Sequence, residues 1–149
     1  MEPIPPGTVA PPIDGTDVSE GPRAVVFYKV TCPTCQIAAP VAERLHEGFP
    51  GLLVGVAQDP REKIEQFEQE MRTSFPSVSD QPPYEVSNAW GIRAVPTLFV
   101  LSDAKVADVV ESWDRDGWNR AVARLGALTG TSSESLSWDG DGLPPFRPG

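Results

Sequence analysis

The sequence predicts an α/β sandwich, a central mixed β-sheet flanked by helices on both faces. Two patterns carry this prediction. Continuous apolar runs of strand length alternate with segments whose apolar residues recur every three to four positions, the order of a β-α-β-α chain. Two more strand-like runs then follow with only "DA" between them, which makes them antiparallel neighbours, and an amphipathic segment closes the domain. At 149 residues the chain fits one domain, large enough to bury a core without metals or disulfides to hold it together.

Taken in order, residues 1–22 are rich in proline and glycine and read as an extended arm packed along the domain. "RAVVFYKV" is apolar and β-branched, and reads as a buried strand. Beyond Gln36, the four-residue spacing of Ile37, Val41 and Leu45 puts one apolar stripe on a helix that ends near Gly48. Pro40 lies inside it and is expected to kink it, since proline lacks the backbone donor and crowds the preceding turn. "GLLVGVAQ" is a second buried strand. In "DPREKIEQFEQEMRTSF", Asp59 is the expected N-cap and Pro60 the first helical residue. Ile64, Phe67 and Met71 line the inner face of that helix, and its acid- and amide-rich face is left to solvent. "FPSVSD" adds a short strand, and "PPYEVSNAWGI" a short helix closed by Gly91. "AVPTLFVLS" and "KVADVVES" form the hairpin, and Asp114 or Asp116 caps a last helix with Trp118, Val122 and Leu125 on one face. The packed domain is therefore expected over residues 23–130. Residues 131–149, rich in Ser, Gly, Pro and Asp, are expected to form a flexible polar tail whose only docking side chains would be Trp138, Leu143 and Phe146.

Twelve Lys and Arg against 21 Asp and Glu give a net charge of -9, which repels phosphate backbones and anionic membrane surfaces. Neither nucleic acid nor membrane is an expected partner. "MEPIPPGTVAPPIDG" lacks the basic and apolar regions of a signal peptide, and no later apolar run would span a bilayer. A cytoplasmic location is favoured, with an extracytoplasmic one open if a leader has been removed, and a monomer is expected.

The chemistry concentrates in "FYKVTCPTCQIAAP", which holds both cysteines, Cys32 and Cys35. A secreted scaffold scatters its cysteines through the fold, whereas a single C-x-x-C suits a redox or metal-binding pair. A strand that delivers this motif to a helix start sets the first cysteine beside unpaired N–H groups and the positive end of the helix dipole, which favours thiolate. Cys32 is thus the expected nucleophile. Cys35, one turn on, is placed to attack a mixed disulfide formed at Cys32 and release the product. A structural zinc needs four ligands, and two cysteines with His46 fall short. A mere staple between residues three apart would constrain the unfolded chain little. No metal and no cofactor are expected.

These residues resemble the thioredoxin-fold proteins, and more closely the TlpA/ResA-like thiol–disulfide oxidoreductases that shade into the AhpC/TSA (peroxiredoxin-related) group. The resemblance rests on "VVFYKVTCPTC", on Pro40 five residues past Cys35, and on "WGIRAVPTLFVL" with its Val-Pro-Thr 63 residues after Cys32. The lead-in "PGTVAPPI" and the insert "FPSVSDQPPYEVSNAWGI" extend it over about residues 7 to 128. It implies a thioredoxin-like sandwich with Pro96 as a cis-proline facing the cysteines. Val95 would present its backbone to an incoming peptide or thiol, and Pro33, Thr34, Val95, Pro96 and Thr97 would line the substrate site. Without the resemblance, Pro96 would read as the trans start of an edge strand. Several positions depart from the family, among them Pro33-Thr34, which differs from the thioredoxin Gly-Pro between the cysteines. Val26 stands where thioredoxins carry a buried Asp six positions before the nucleophile, leaving the proton acceptor for Cys35 unassigned, and Tyr28 and Thr31 replace tryptophans. Lys29 reads as a snorkelling or paired lysine on the opposite strand face from Val26.

The leading function is therefore dithiol–disulfide exchange with a disulfide-bearing protein or small thiol substrate, recharged by a reductant protein. A thiol-dependent peroxidase of the peroxiredoxin-related group is the second reading. Against it, P-x-x-x-T-x-x-C would need Pro and Thr where the chain has Val25 and Lys29. A non-catalytic thioredoxin-fold binding module is the third.

Overall fold

The computed structural model describes residues 1–132 and 134–149. Its main sheet has five strands in the order β3-β2-β1-β4-β5. Strands β1 (Pro22–Tyr28), β2 (Leu53–Ala57) and β3 (Ser77–Ser79) run parallel, while β4 (Thr97–Ser102) and β5 (Lys105–Glu111) run antiparallel to their neighbours. Paired on both sides and covered on both faces, β1 is buried from Ala24 to Tyr28, which is why its sequence is a continuous apolar run.

Strand alternation sorts the core into two layers. Ala24, Val26 and Tyr28 join the layer packed by helices α1 (Pro33–Gly48), α2 (Arg61–Met71) and α4 (Arg115–Thr129). Val25 and Phe27 join the other layer, where Trp90 packs 5.4 Å from the Phe27 ring and 5.0 Å from the Phe99 ring. That second face is covered by the short helix α3 (Glu85–Ala89) and by the N-terminal arm, which buries Ala10, Ile13 and Val18. The arm also closes the exposed edge of β5. Gly7 N–H donates to Val106 O at 2.8 Å, Val106 N–H to Thr8 O at 2.9 Å, and Ala10 N–H to Ala104 O at 2.7 Å. Gly91, with φ +74°, is pressed so close to the Glu2 carbonyl that any Cβ would collide with it.

Helix α2 begins later than its sequence suggests. Pro60, in an extended conformation, is the N-cap and Arg61 the first helical residue. The Asp59 carboxylate, expected to cap this helix, instead accepts the Val30 N–H at 2.9 Å, tying the end of β2 to the cysteine loop. The β4–β5 hairpin turns through Asp103 and Ala104, both at positive φ (47° and 70°). Alanine there is strained, so Ala104→Gly is expected to raise the melting temperature by about 1–2 °C, roughly 0.5 kcal/mol net of glycine's greater unfolded-state entropy. Differential scanning calorimetry checks this, and a lower melting temperature would contradict it.

Residues 134–149, expected to be a flexible tail, are fastened to the domain in this structure. The fastening is polar. Arg115, at the start of α4 and only 7% exposed, donates to Ser137 Oγ (3.1 Å), Asp139 Oδ1 (2.8 Å), Asp141 Oδ1 (3.3 Å) and the Leu143 carbonyl (2.7 Å). The Ser137 hydroxyl, then backbone N–H groups and Arg115, hold the Asp141 carboxyl down to about 2. Trp113 Nε1 donates to Pro144 O at 2.7 Å, and β6 (Trp113–Asp114) pairs antiparallel with β7 (Phe146–Arg147). The tail aromatics contribute less than their size suggests. Trp138 lies under the Arg44 guanidinium at 5.3 Å but is 53% exposed, and Phe146 is 56% exposed.

Candidate active site

Cys32 caps α1 from an extended conformation (φ -81°, ψ 118°), and Pro33 is the first helical residue, where its missing N–H costs no hydrogen bond. The loop is pinned by Cys32 N–H to Lys29 O and by Gln36 N–H to Cys32 O, both at 3.1 Å. Cys32 is partly exposed, whereas Cys35 is 2% exposed, and both are free thiols. Cys35 faces a small apolar cavity lined by Val26, Tyr28, Ala39, Phe67, Pro96 and Trp118. Burial there pushes its thiol far above the ordinary range; the Lys29 N–H, 3.5 Å from its Sγ, opposes the shift, and the neighbouring Cys32 and Asp59 add to it.

This has a consequence for stability. Above about pH 8.5, the ordinary thiol value, the unfolded chain has lost a proton that native Cys35 still holds, so rising pH favours unfolding. Reduced protein is expected to lose up to about 1.4 kcal/mol per pH unit from pH 9 upward, and Cys35→Ala to lack that part of the slope. Tyr28, pushed up to about 12 mainly by burial, adds a loss of the same sign in both proteins above pH 10. Urea midpoints at pH 8 and pH 10 test this, and equal slopes for the two proteins would contradict it.

The second half of the site arrives from β4. Antiparallel pairing puts Thr97 opposite Phe27, so the residues just before β4 overhang the cysteine turn just after β1. The Val95–Pro96 peptide is cis, Pro96 is buried, and the Cys32 thiol lies 3.6 Å from the Val95 carbonyl it can donate to. Thr97 is fully buried, and its hydroxyl donates to Ala94 O at 2.7 Å, which shapes the turn and leaves no hydroxyl on the surface. Pro33 is exposed beside Cys32. Thr34 is not: it is 3% exposed and donates its hydroxyl to Pro148 O at 2.7 Å.

Two participants escape the sequence reading. Asp59, 8% exposed, braces Val30 in the cysteine loop, and the only local trace of it is the acid that ends the β2 run. Ser112, at positive φ after β5, accepts the Gly149 N–H on its Oγ at 3.0 Å, a contact across 37 residues that no local pattern reveals. Lys29 touches Cys35 through its backbone N–H.

Comparison with known proteins agrees with this geometry. The thioredoxin domain of a thiol-disulfide oxidoreductase from Bacteroides vulgatus superposes with a TM-score of 0.69 over 81% of this chain and 97% of that one, at 19% identity, which places the fold as thioredoxin-like. The chain is 26% identical to "Thioredoxin H-type" of Picea mariana over 113 residues, 76% of this chain and 74% of the relative. It is 29% identical to the peroxidoxin BcpB of Mycobacterium tuberculosis, with a TM-score of 0.62 over 74% of this chain and 82% of that one. No helix among the described residues is long and apolar enough to cross a membrane. Residues 8–109, well over half of the chain and including both cysteines and the Val-Pro-Thr turn, match the AhpC/TSA family model, and the protein belongs to the AhpC/TSA family.

Proposed function

We propose that the protein is a thiol–disulfide oxidoreductase that works through Cys32 and Cys35. The observation that carries this reading is the asymmetry of the pair. Cys32 is partly exposed at a helix N-terminus under the Val95 carbonyl, and Cys35 is sealed one turn behind it. In the reducing direction, the Cys32 thiolate attacks one sulfur of a substrate disulfide, forms a mixed disulfide and expels the other sulfur as thiolate. Cys35 then loses its proton and attacks Cys32 Sγ, releasing the second substrate thiolate and leaving a Cys32–Cys35 disulfide. Two electrons pass to the substrate, and a partner dithiol must return them. Burial makes Cys35 hold its proton more tightly than an ordinary thiol, so it rests as a thiol beside Cys32.

The likeness to "Thioredoxin H-type" supports the same reading. The likeness to a peroxidoxin supports a peroxidase instead, but Val25 and Lys29 replace the proline and threonine of P-x-x-x-T-x-x-C, and Val25 lies wholly inside the second core layer. Fast thiol loss with peroxide in stopped flow would favour the peroxidase. Partner capture undiminished in a Cys32→Ser/Cys35→Ser double variant would favour a binding module.

Equilibration with glutathione or dithiothreitol buffers measures the potential of the pair. A value near about -270 mV makes the protein a reductase and supports the cytoplasmic location, whereas one near about -120 mV makes it an oxidase with an extracytoplasmic place of work.

A further inference from the structure

The segment 146–149 lies across the site just described. Pro148 O accepts the Thr34 hydroxyl at 2.7 Å, and Thr34 is the second of the two residues between Cys32 and Cys35. Gly149 N–H donates to Ser112 Oγ at 3.0 Å, and the Gly149 Cα is pressed onto the Val95 backbone so closely that a Cβ would collide with the Val95 carbonyl. Upstream, Phe146 and Arg147 pair as an antiparallel strand with Asp114 and Trp113. An extended main chain thus runs from β6 past Thr34 onto Val95, the backbone that holds the Cys32 thiol.

We propose that residues 146–149 occupy the place that an extended peptide substrate takes at Cys32, and so act as a specificity filter: small disulfides reach the partly exposed Cys32 past the seated segment, whereas a protein substrate must displace it. The inference rests on the dithiol reading above. Its second support is the contrast between anchor and occupant. Up to Pro145 the tail is held by buried groups, through Trp113 Nε1 on Pro144 O, Arg115 N–H on Pro145 O and the Arg115 guanidinium. Beyond Pro145 every residue is exposed, Phe146 by 56%, and the contacts are a two-residue strand and two hydroxyl hydrogen bonds. Such a segment opens at low free-energy cost while its tether keeps it close at a high effective concentration. A competing peptide then sees its affinity reduced by the fraction of time the site stands open.

Only glycine fits against Val95, so Gly149→Ala is expected to unseat the end of the segment without touching its anchor, and deletion of residues 146–149 to remove the occupant. The full chain and both variants would be compared for kcat/KM with insulin and with hydroxyethyl disulfide, alongside NMR of the Thr34, Val95 and Ser112 amides. Both variants are expected to gain about fivefold or more on insulin with the small disulfide changed less than twofold. The synthetic peptide LPPFRPG added to the deletion variant is expected to shift the same three amides back and to inhibit insulin reduction. Unchanged insulin kinetics, an equal change on both substrates, or amides unmoved by deletion and by peptide would overturn the filter. Inactivity of all three proteins on both substrates would overturn the dithiol reading, and the amide shifts would still report whether the segment is seated.

Discussion

Replacing Cys32 with serine is expected to lower insulin-disulfide reduction by about 10³-fold or more, to the uncatalysed rate, because the remaining thiol is sealed in the core. Cys35→Ser is expected to behave differently. Its Cys32 still faces solvent and still attacks, but nothing resolves the mixed disulfide, so a covalent adduct accumulates that runs as a reducible band on a non-reducing gel. The pair of variants therefore separates the two steps. Equal activity of Cys32→Ser and wild type would remove Cys32 from the nucleophile's role, and an adduct in Cys32→Ser but not in Cys35→Ser would exchange the two assignments.

The second large effect concerns Arg115. Methionine there keeps most of the volume but removes the cation that joins Ser137, Asp141 and the Leu143 carbonyl, leaving the nearly inaccessible Asp141 side chain beside unpaired acceptors. The exposed Asp139 contributes little to the loss. Arg115→Met is expected to lower the melting temperature by about 10 °C and to free the tail, read as a change in Trp138 fluorescence and faster proteolysis after residue 130. A melting temperature within about 2 °C of wild type, with the tail still protected, would show that the polar cluster is not what holds it.

These two predictions sit at opposite ends of what a sequence can reveal. Cys32 and Cys35 are legible because the chemistry is local. A strand, a turn and a helix start lie within a few residues, and the helix supplies both the spacing and the field. The apolar periodicity is equally local, so β1, α1, β2, the β4–β5 hairpin and the inner faces of α2 and α4 follow from it, down to Ile64, Phe67, Trp118, Val122 and Leu125 as core residues. Asp59 shows the limit. Its position before Pro60 has the form of a helix cap, yet Val30, 29 residues away in sequence, competes for the same carboxylate and wins. The tail shows it more strongly. Residues 134–149 look disordered because they lack an apolar stripe, but a two-residue strand and hydrogen bonds to the buried Arg115 guanidinium, and to Arg44, Asn119 and Trp113, hold them in place.

By itself the sequence determined the fold class, through the order of its apolar periods, and it supplies the expectation that Cys32 attacks and Cys35 resolves, since that spacing lies within one strand, turn and helix start. Tertiary structure alone decided which backbone covers Cys32, what braces the cysteine loop, and that residues 146–149 lie over Thr34 and Val95. Those contacts join residues 29 to 114 positions apart, and a hydrogen bond or a close backbone approach across such a separation leaves no period in the chain to read.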